Sequence, residues 1–258
     1  MTTTTTVEQI AELMPDATQL LSDEPEMEST LHWAQLVLLS TCLEWRWRER
    51  DDFFIGTNLT IYFSRQQLKT RDFRGPDFFL VKGTNHEPRT SWVVWEEGGK
   101  YPDLIIELLS DSTAEIDRDI KKEIYQDRFR TPEYFWFSPV TLEFMAWRLQ
   151  HGTYAEMIPN EHGWRWSEVL QLYLGVSNGQ LRYFTAAGEL ILTVEEELRI
   201  ALDERDARRD EVRESAARAQ VAEQSARLAN LRAEEEAQRA ELLAAKLREL
   251  GIDPDTIQ

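Results

Sequence analysis

The chain has 258 residues, 42% of them hydrophobic, one cysteine and a formal net charge of -18. That is enough apolar matter for one substantial core, while the single Cys42 excludes a disulfide framework or a cysteine-based zinc site and suits a reducing cytosol. No basic-then-apolar leader opens the sequence and no run approaches the roughly 18 to 20 apolar residues of a membrane span, so a cytoplasmic protein without a membrane partner is expected.

Residues 1–30 hold seven Asp or Glu and no Lys or Arg, and read as an acidic N-terminal arm with room for a short helix over Val7 to Met14. From Leu31 to about Arg48, Leu31, Leu36, Leu39 and Leu43, with Trp33, Val37 and Leu38 beside them, predict a helix. Phe53 to Ile55 and Leu59 to Phe63, split by Gly56, predict a strand or hairpin. Gly75-Pro76 opens a strand over Phe78 to Val81 that Gly83 closes. Trp92 to Trp95 fits an extra edge strand. Leu104 to Leu109 is apolar except for Glu107, as befits a strand covered on both faces.

Ser112-Thr113-Ala114-Glu115 is a capping box, and Ile116, Ile120 and Ile124 at four-residue spacing predict a helix packing back on the sheet. Tyr134 to Phe137 and Leu142 to Leu149 are further strands, with β-hairpins following to about Ile191. The expected fold is therefore α/β: helix, mixed central sheet and helix, with added hairpins over residues 31–193. Residues 194–250 form a long helix, free of Gly and Pro, that Gly251 and Pro254 stop ahead of a 251–258 tail. Val212, Ala219, Ala226, Ala233, Ala240 and Leu247 recur every seven residues, with Ala222, Ala229, Leu243 and Leu250 three residues after some of them. This is a coiled-coil seam, and a homodimer through it is expected.

Chemistry concentrates at Asp77, Glu107 and Lys121. If the Phe78 and Leu104 strands pair antiparallel, the start of one lies beside the end of the other and Asp77 meets Glu107. Asp103, four residues from Glu107 and hence roughly 13 Å away at 3.3 Å per residue, cannot share an ion with it and turns into its strand. Two hard carboxylates suit Mg²⁺ or Mn²⁺, with phosphate and water completing the shell. Lys121 lies nearer the inward face of its helix than Lys122. It could orient the attacking water and offset charge on the phosphate, with Asp117 one turn before it as a brace.

The stretches Gly75-Pro76-Asp77-Phe78-Phe79-Leu80-Val81 and Pro102-Asp103-Leu104-Ile105-Ile106-Glu107-Leu108-Leu109-Ser110, with Asp117, Lys121, Tyr125 and Pro132-Glu133-Tyr134-Phe135, resemble the bacterial Uma-type putative restriction-endonuclease family. That family belongs to the PD-(D/E)XK nuclease-like superfamily. The resemblance covers roughly residues 31–193, and some members also end in a charged, alanine-rich helix like the one closing on Leu250 to Pro254. It implies a restriction-endonuclease-like fold and a Mg²⁺- or Mn²⁺-dependent endonuclease acting on nucleic acid, DNA in the leading reading. Asp77 would be the aspartate of the PD motif and Glu107 the acid of the third motif, both metal ligands. Lys121 would be a catalytic lysine moved from strand to helix, because Leu109 stands where E-X-K puts lysine. Glu44 on the first helix is a further candidate carboxylate.

The contrasting expectation is a binding module that keeps the nuclease fold without turnover, assembled through its C-terminal helix. The net acidity opposes phosphate binding, although the acid is concentrated at the two ends. The C-terminal helix carries fifteen acids against eleven bases. Arg46, Arg48, Arg50, Arg65, Lys69, Arg71 and Arg74 make the segment before Asp77 basic, a candidate phosphate-facing surface. No nucleophile elbow, phosphate-binding loop or His-Glu-x-x-His pair is present. The histidines His32, His86, His151 and His162 are scattered and read as structural or exposed. Among the tryptophans, Trp92 or Trp95 could line a groove and stack on bases.

Overall fold

The structure, a computed structural model, describes residues 20–22, 24, 29–64, 75–109 and 120–251. The expected helix over Val7 to Met14, the basic residues Arg65, Lys69, Arg71 and Arg74, the Ser112 capping box, Ile116, Asp117 and Pro254 lie outside the described residues. The chain divides into two compact units, Met1–Val194 and Glu195–Gln258.

Helix α1 (Thr30–Arg46) starts where Ser29 Oγ accepts the His32 N–H at 3.2 Å, satisfying one of the orphan donors of the first turn. Its inward stripe is His32, Gln35, Leu36, Leu39, Cys42 and Leu43. Strands β1 (Phe53–Thr57), β3 (Phe78–Lys82), β5 (Leu104–Leu108), β6 (Glu133–Phe137), β7 (Phe144–Gln150) and β8 (Thr153–Glu156) form a sheet in the order β1-β3-β5-β6-β7-β8. Every neighbouring pair is antiparallel except β5 and β6, which makes the sheet mixed. A parallel pair needs a crossover, and the helical residues from Ile120 to Phe129 lie within it.

Side chains alternate across the sheet with the two-residue period of a strand. Phe53, Phe78, Leu80, Leu104, Ile106, Leu108, Phe135 and Phe137 pack with α1 and with a second sheet of β9 (Arg165–Ser167), β10 (Leu172–Ser177) and β11 (Gln180–Phe184). Phe54, Phe79, Val81, Ile105, Tyr134 and Trp136 face the other way, under Tyr125, Phe129 and the small ribbon of β2 (Ile61–Tyr62) and β4 (Trp92–Val93). Both faces are covered, which explains why β5 is apolar except for Glu107.

Two buried polar devices tie these layers together. Gln35 Nε2 donates to the Leu181 carbonyl at 2.9 Å and its Oε1 accepts the Leu181 N–H at 3.0 Å, so one side chain serves a backbone unit of β11 as a neighbouring strand would. Glu133, 1% exposed, accepts from Arg148 at 3.0 and 3.2 Å, from the Glu168 N–H at 2.8 Å and from Ser167 Oγ.

Of the strand or hairpin expected after α1, strands form without a hairpin: β2 pairs parallel with β4, Ile61 opposite Trp92, so the extra strand expected at Trp92 forms within this two-stranded ribbon. Two other expectations are corrected. Trp92 and Trp95 are 0% and 7% exposed, and the Trp92 indole N–H donates to the Lys100 carbonyl at 2.9 Å, so both serve the core rather than a base-stacking groove. Ile120 is 58% exposed. Over Ile124–Phe129 the helix is a π-helix, whose wider i→i+5 turns rotate the inward face onto Tyr125 and Phe129.

In the second unit, helix α2 (Val194–Glu249) is continuous and has no buried residue. Among the described residues no helix is long and apolar enough to cross a membrane.

Candidate active site

Asp77 is delivered by a tight approach of two chain segments. A side chain on Gly75 would collide with the Leu59 carbonyl, so glycine is required where the chain passes that backbone. The turn then enters β3, and the register Phe78 to Ile106, Phe79 to Ile105 and Leu80 to Leu104 brings Asp77 beside Glu107 when continued by one step. The two-residue period sets Asp77, Phe79, Ile105 and Glu107 on one face.

The two carboxyls are held from four directions. The Leu108 N–H donates to Asp77 Oδ2 at 2.8 Å, and His32 Nε2 lies 2.9 Å from Asp77 Oδ1. An ionised carboxylate only accepts, so this contact favours the proton on Nε2. Glu107 is 0% exposed; Tyr125 Oη donates to its Oε1 at 2.5 Å and Lys121 Nζ to its Oε2 at 3.1 Å. Lys121 and Tyr125 are four residues apart, about one helical turn, and therefore reach the same carboxylate.

Burial pushes the Asp77 carboxyl upward, but the His32 hydrogen bond, the Lys121 and His32 charges and a hydrogen-bonding contact with Glu107 outweigh it. The group ends below the ordinary aspartate range. Wholly buried, Glu107 takes an ammonium from Lys121 and a hydroxyl donor from Tyr125 as its partners.

Asp77, Glu107 and Lys121 thus converge. Lys122 turns elsewhere, its Nζ 3.9 Å above the Trp147 ring. Leu109, where the strand lysine was sought, is 3% exposed in the core under the crossover helix, its N–H donating to the Phe137 carbonyl at 2.8 Å. Asp103 sits at the other end of β5, its Oδ2 accepting the Lys82 N–H at 2.7 Å.

From α1 the partner of Asp77 is His32. Glu44 is exposed and lines a recess beside β1 with Phe54, Gly56, His86 and Arg89. Of the basic surface, Arg50 forks onto Asp52 at 2.9 and 3.1 Å, and Arg48 lies over the Trp45 ring.

The sequence assigns no site role to His32, which reads as structural or exposed, or to Tyr125, which enters only among the residues that carry the family resemblance. A signal existed for His32, which falls on the apolar stripe of its helix, three, four and seven residues before Gln35, Leu36 and Leu39. For Tyr125 the signal was its four-residue spacing from Lys121.

Among the described residues no group of three or more His, Cys, Asp or Glu could by itself hold a metal ion. Two carboxylates nevertheless fit a hard divalent cation that takes its other ligands from water and phosphate. A carboxylate oxygen carries two lone pairs, so a hydrogen bond accepted there does not by itself bar a metal ion.

The sequence pattern of the family described as Uma2, putative restriction endonuclease, matches residues 15–186. The fold is similar to the crystal structure of a putative nuclease belonging to DUF820 from Anabaena variabilis, with 14% identity over 60% of this chain and 88% of that one and a TM-score of 0.39. No curated protein matches the chain.

Proposed function

The chain belongs to the Uma2 family of putative restriction endonucleases, and from that premise we propose that it is a divalent-metal-dependent endonuclease cutting DNA at a site built on Asp77, Glu107 and Lys121. The observation that carries this reading is the convergence of two carboxylates and an amine from β3, β5 and the crossover helix, with Lys121 Nζ 3.1 Å from Glu107 Oε2.

Asp77 and Glu107 would hold Mg²⁺ or Mn²⁺, which when bound polarises the phosphoryl oxygen and lowers the pKa of a coordinated water. His32 and the Leu108 N–H fix the direction of the Asp77 carboxylate, and Tyr125 that of Glu107. Lys121, held by Glu107, sets a positive charge where negative charge grows on the phosphate during attack by water. It also offers an N–H to orient that water. Self-association through α2 would couple two such sites and set two single-strand cuts at a fixed spacing.

One observation favours a second reading, a nuclease-fold module that binds nucleic acid without turnover. All four oxygens of Asp77 and Glu107 already have partners within the protein, so the cluster is hydrogen-bonded without an ion.

Cleavage of plasmid and oligonucleotide DNA in Mg²⁺ or Mn²⁺ separates the two, comparing the wild type with Asp77→Asn, Glu107→Gln and Lys121→Met and checking folding by circular dichroism. The endonuclease reading expects loss of cutting in all three folded variants. Undiminished cutting by Asp77→Asn or Glu107→Gln sinks it, and DNA binding without cutting by the wild type establishes the module.

A further inference from the structure

We propose that α2 pairs with α2 of a second copy in the antiparallel sense, in register about the helix midpoint. This rests on the self-association reading above but not on catalysis.

The helix cannot satisfy its own seam. It is one continuous element with no buried residue, and Leu198, Val212 and Leu243 on the seven-residue seam are 58%, 69% and 55% exposed. Extending the seam that contains Val212 back towards the N-terminus puts Leu198 and Arg205 in its first column and Val194, Ala201 and Arg208 in its second. Glu236 joins Leu243 further on in the second column. Val221, Leu228, Leu231 and Leu242 lie off this seam.

Orientation follows from the charges in those columns. A parallel, in-register pair sets identical residues against each other, which stacks Arg205 on Arg205, Arg208 on Arg208 and Glu236 on Glu236 in the interior. Turning one helix end for end removes every one of these clashes. Leu198 then meets the partner's Leu243, Val194 the partner's Leu247, Val212 the partner's Ala229 and Arg205 the partner's Glu236. Arg208 faces the partner's Ala233, past which its long stem can carry the charge to water.

The column flanking the seam agrees independently. In an antiparallel pair the residues just before the first seam column face their own kind across the interface. Here that column reads Glu197, Glu204, Glu211 and Arg218 in the N-terminal half and Ser225, Arg232, Arg239 and Lys246 in the C-terminal half. Glu197 and Lys246, Glu204 and Arg239, and Glu211 and Arg232 are each equidistant from the midpoint of Val194–Glu249, between Val221 and Ala222. The seam pairs centre one residue earlier, between Gln220 and Val221, and a two-fold axis there brings these three acids to the three bases in the flanking column and repeats the match on the other side. Within one chain, Glu204 pairs with Arg208 at 3.4 Å and both side chains are largely exposed, a contact weak enough to be exchanged.

Cross-linking of the full chain tests the orientation. Leu198→Cys and Leu243→Cys are made as single variants; the native Cys42 is buried and does not compete. Co-expressed, the two variants are expected to form a disulfide-linked dimer, whereas each alone gives none, since like positions would stand roughly 65 Å apart at 1.5 Å per residue. Cross-linking of each variant to itself overturns the antiparallel arrangement while leaving self-association intact. A monomer in sedimentation velocity at every concentration overturns both.

Charge exchange tests the register. Arg205→Glu should weaken the dimer by about tenfold or more, and adding Glu236→Arg should restore it to within about threefold. A double variant no tighter than the single overturns the register.

Discussion

Lys121 Nζ lies 3.1 Å from Glu107 Oε2, and the glutamate is wholly buried while the lysine is 17% exposed. Such a pair contributes little against an apolar replacement of both partners, but loss of one partner leaves a buried charge uncompensated. Lys121→Met should therefore lower the unfolding free energy by about 3 kcal/mol, read by urea denaturation at neutral pH. A loss below about 0.5 kcal/mol, the size of an ordinary surface change, would show that the pair does not form.

Lys122 supplies the control. Its ammonium sits over Trp147 and not at the carboxylates, a contact worth about 0.5 to 2 kcal/mol. Lys122→Met is expected to keep full cleavage activity and to cost about 1 kcal/mol. Equal loss of activity from Lys121→Met and Lys122→Met would mean that the helix face is assigned wrongly.

Asp77 makes stability depend on acid. Its folded pKa is lowered, with burial opposing and the His32 hydrogen bond leading the groups that prevail. The stabilisation is therefore present above the unfolded value of about 3.9 and is lost as pH falls through the lower folded value. Melting temperatures of wild type and Asp77→Asn should differ at pH 7 and draw together below about pH 4. A gap that widens on acidification has the wrong sign.

Glu133 is a buried carboxylate of a different kind, saturated by Arg148, Ser167 and the Glu168 backbone. It lies opposite Leu104 in the β5 and β6 register, while Glu107 lies opposite Trp136. Glu133→Gln should destabilise by about 1 to 3 kcal/mol yet leave unchanged the rise in melting temperature expected when Mg²⁺ binds the folded protein at Asp77 and Glu107. Disappearance of that rise would tie Glu133 to the metal response.

Gln35 tests how α1 is attached. Gln35→Leu strands the Leu181 N–H and carbonyl together, at a cost of about 2 to 4 kcal/mol measurable by chemical denaturation. A neutral effect would mean that water reaches this backbone unit.

Much of the site could be read before any coordinates. An acid inside the apolar run of β5 needs a partner wherever both sheet faces are covered, and the Gly75-Pro76 turn marks where β3 starts. The antiparallel pairing assumed for these strands is the one observed. Of the isoleucine stripe, Ile124 packs against the core while Ile120 is exposed, because a 3.6-residue period does not hold along a segment that adopts wider turns. For Leu59 to Phe63, nearness in sequence left a hairpin open, whereas Ile61 finds its partner in Trp92.

By itself, the sequence determined the apolar alternation, the acid in β5, the breaks at glycine and proline and the seven-residue repeat of α2. These are local or periodic properties that need no knowledge of distant contacts. Only the tertiary structure decided that Asp77 is met by His32, that Glu107 is shared between Lys121 and Tyr125, and that Leu109 belongs to the core. Each depends on strand register and helix rotation, which are set by packing between segments far apart in the chain.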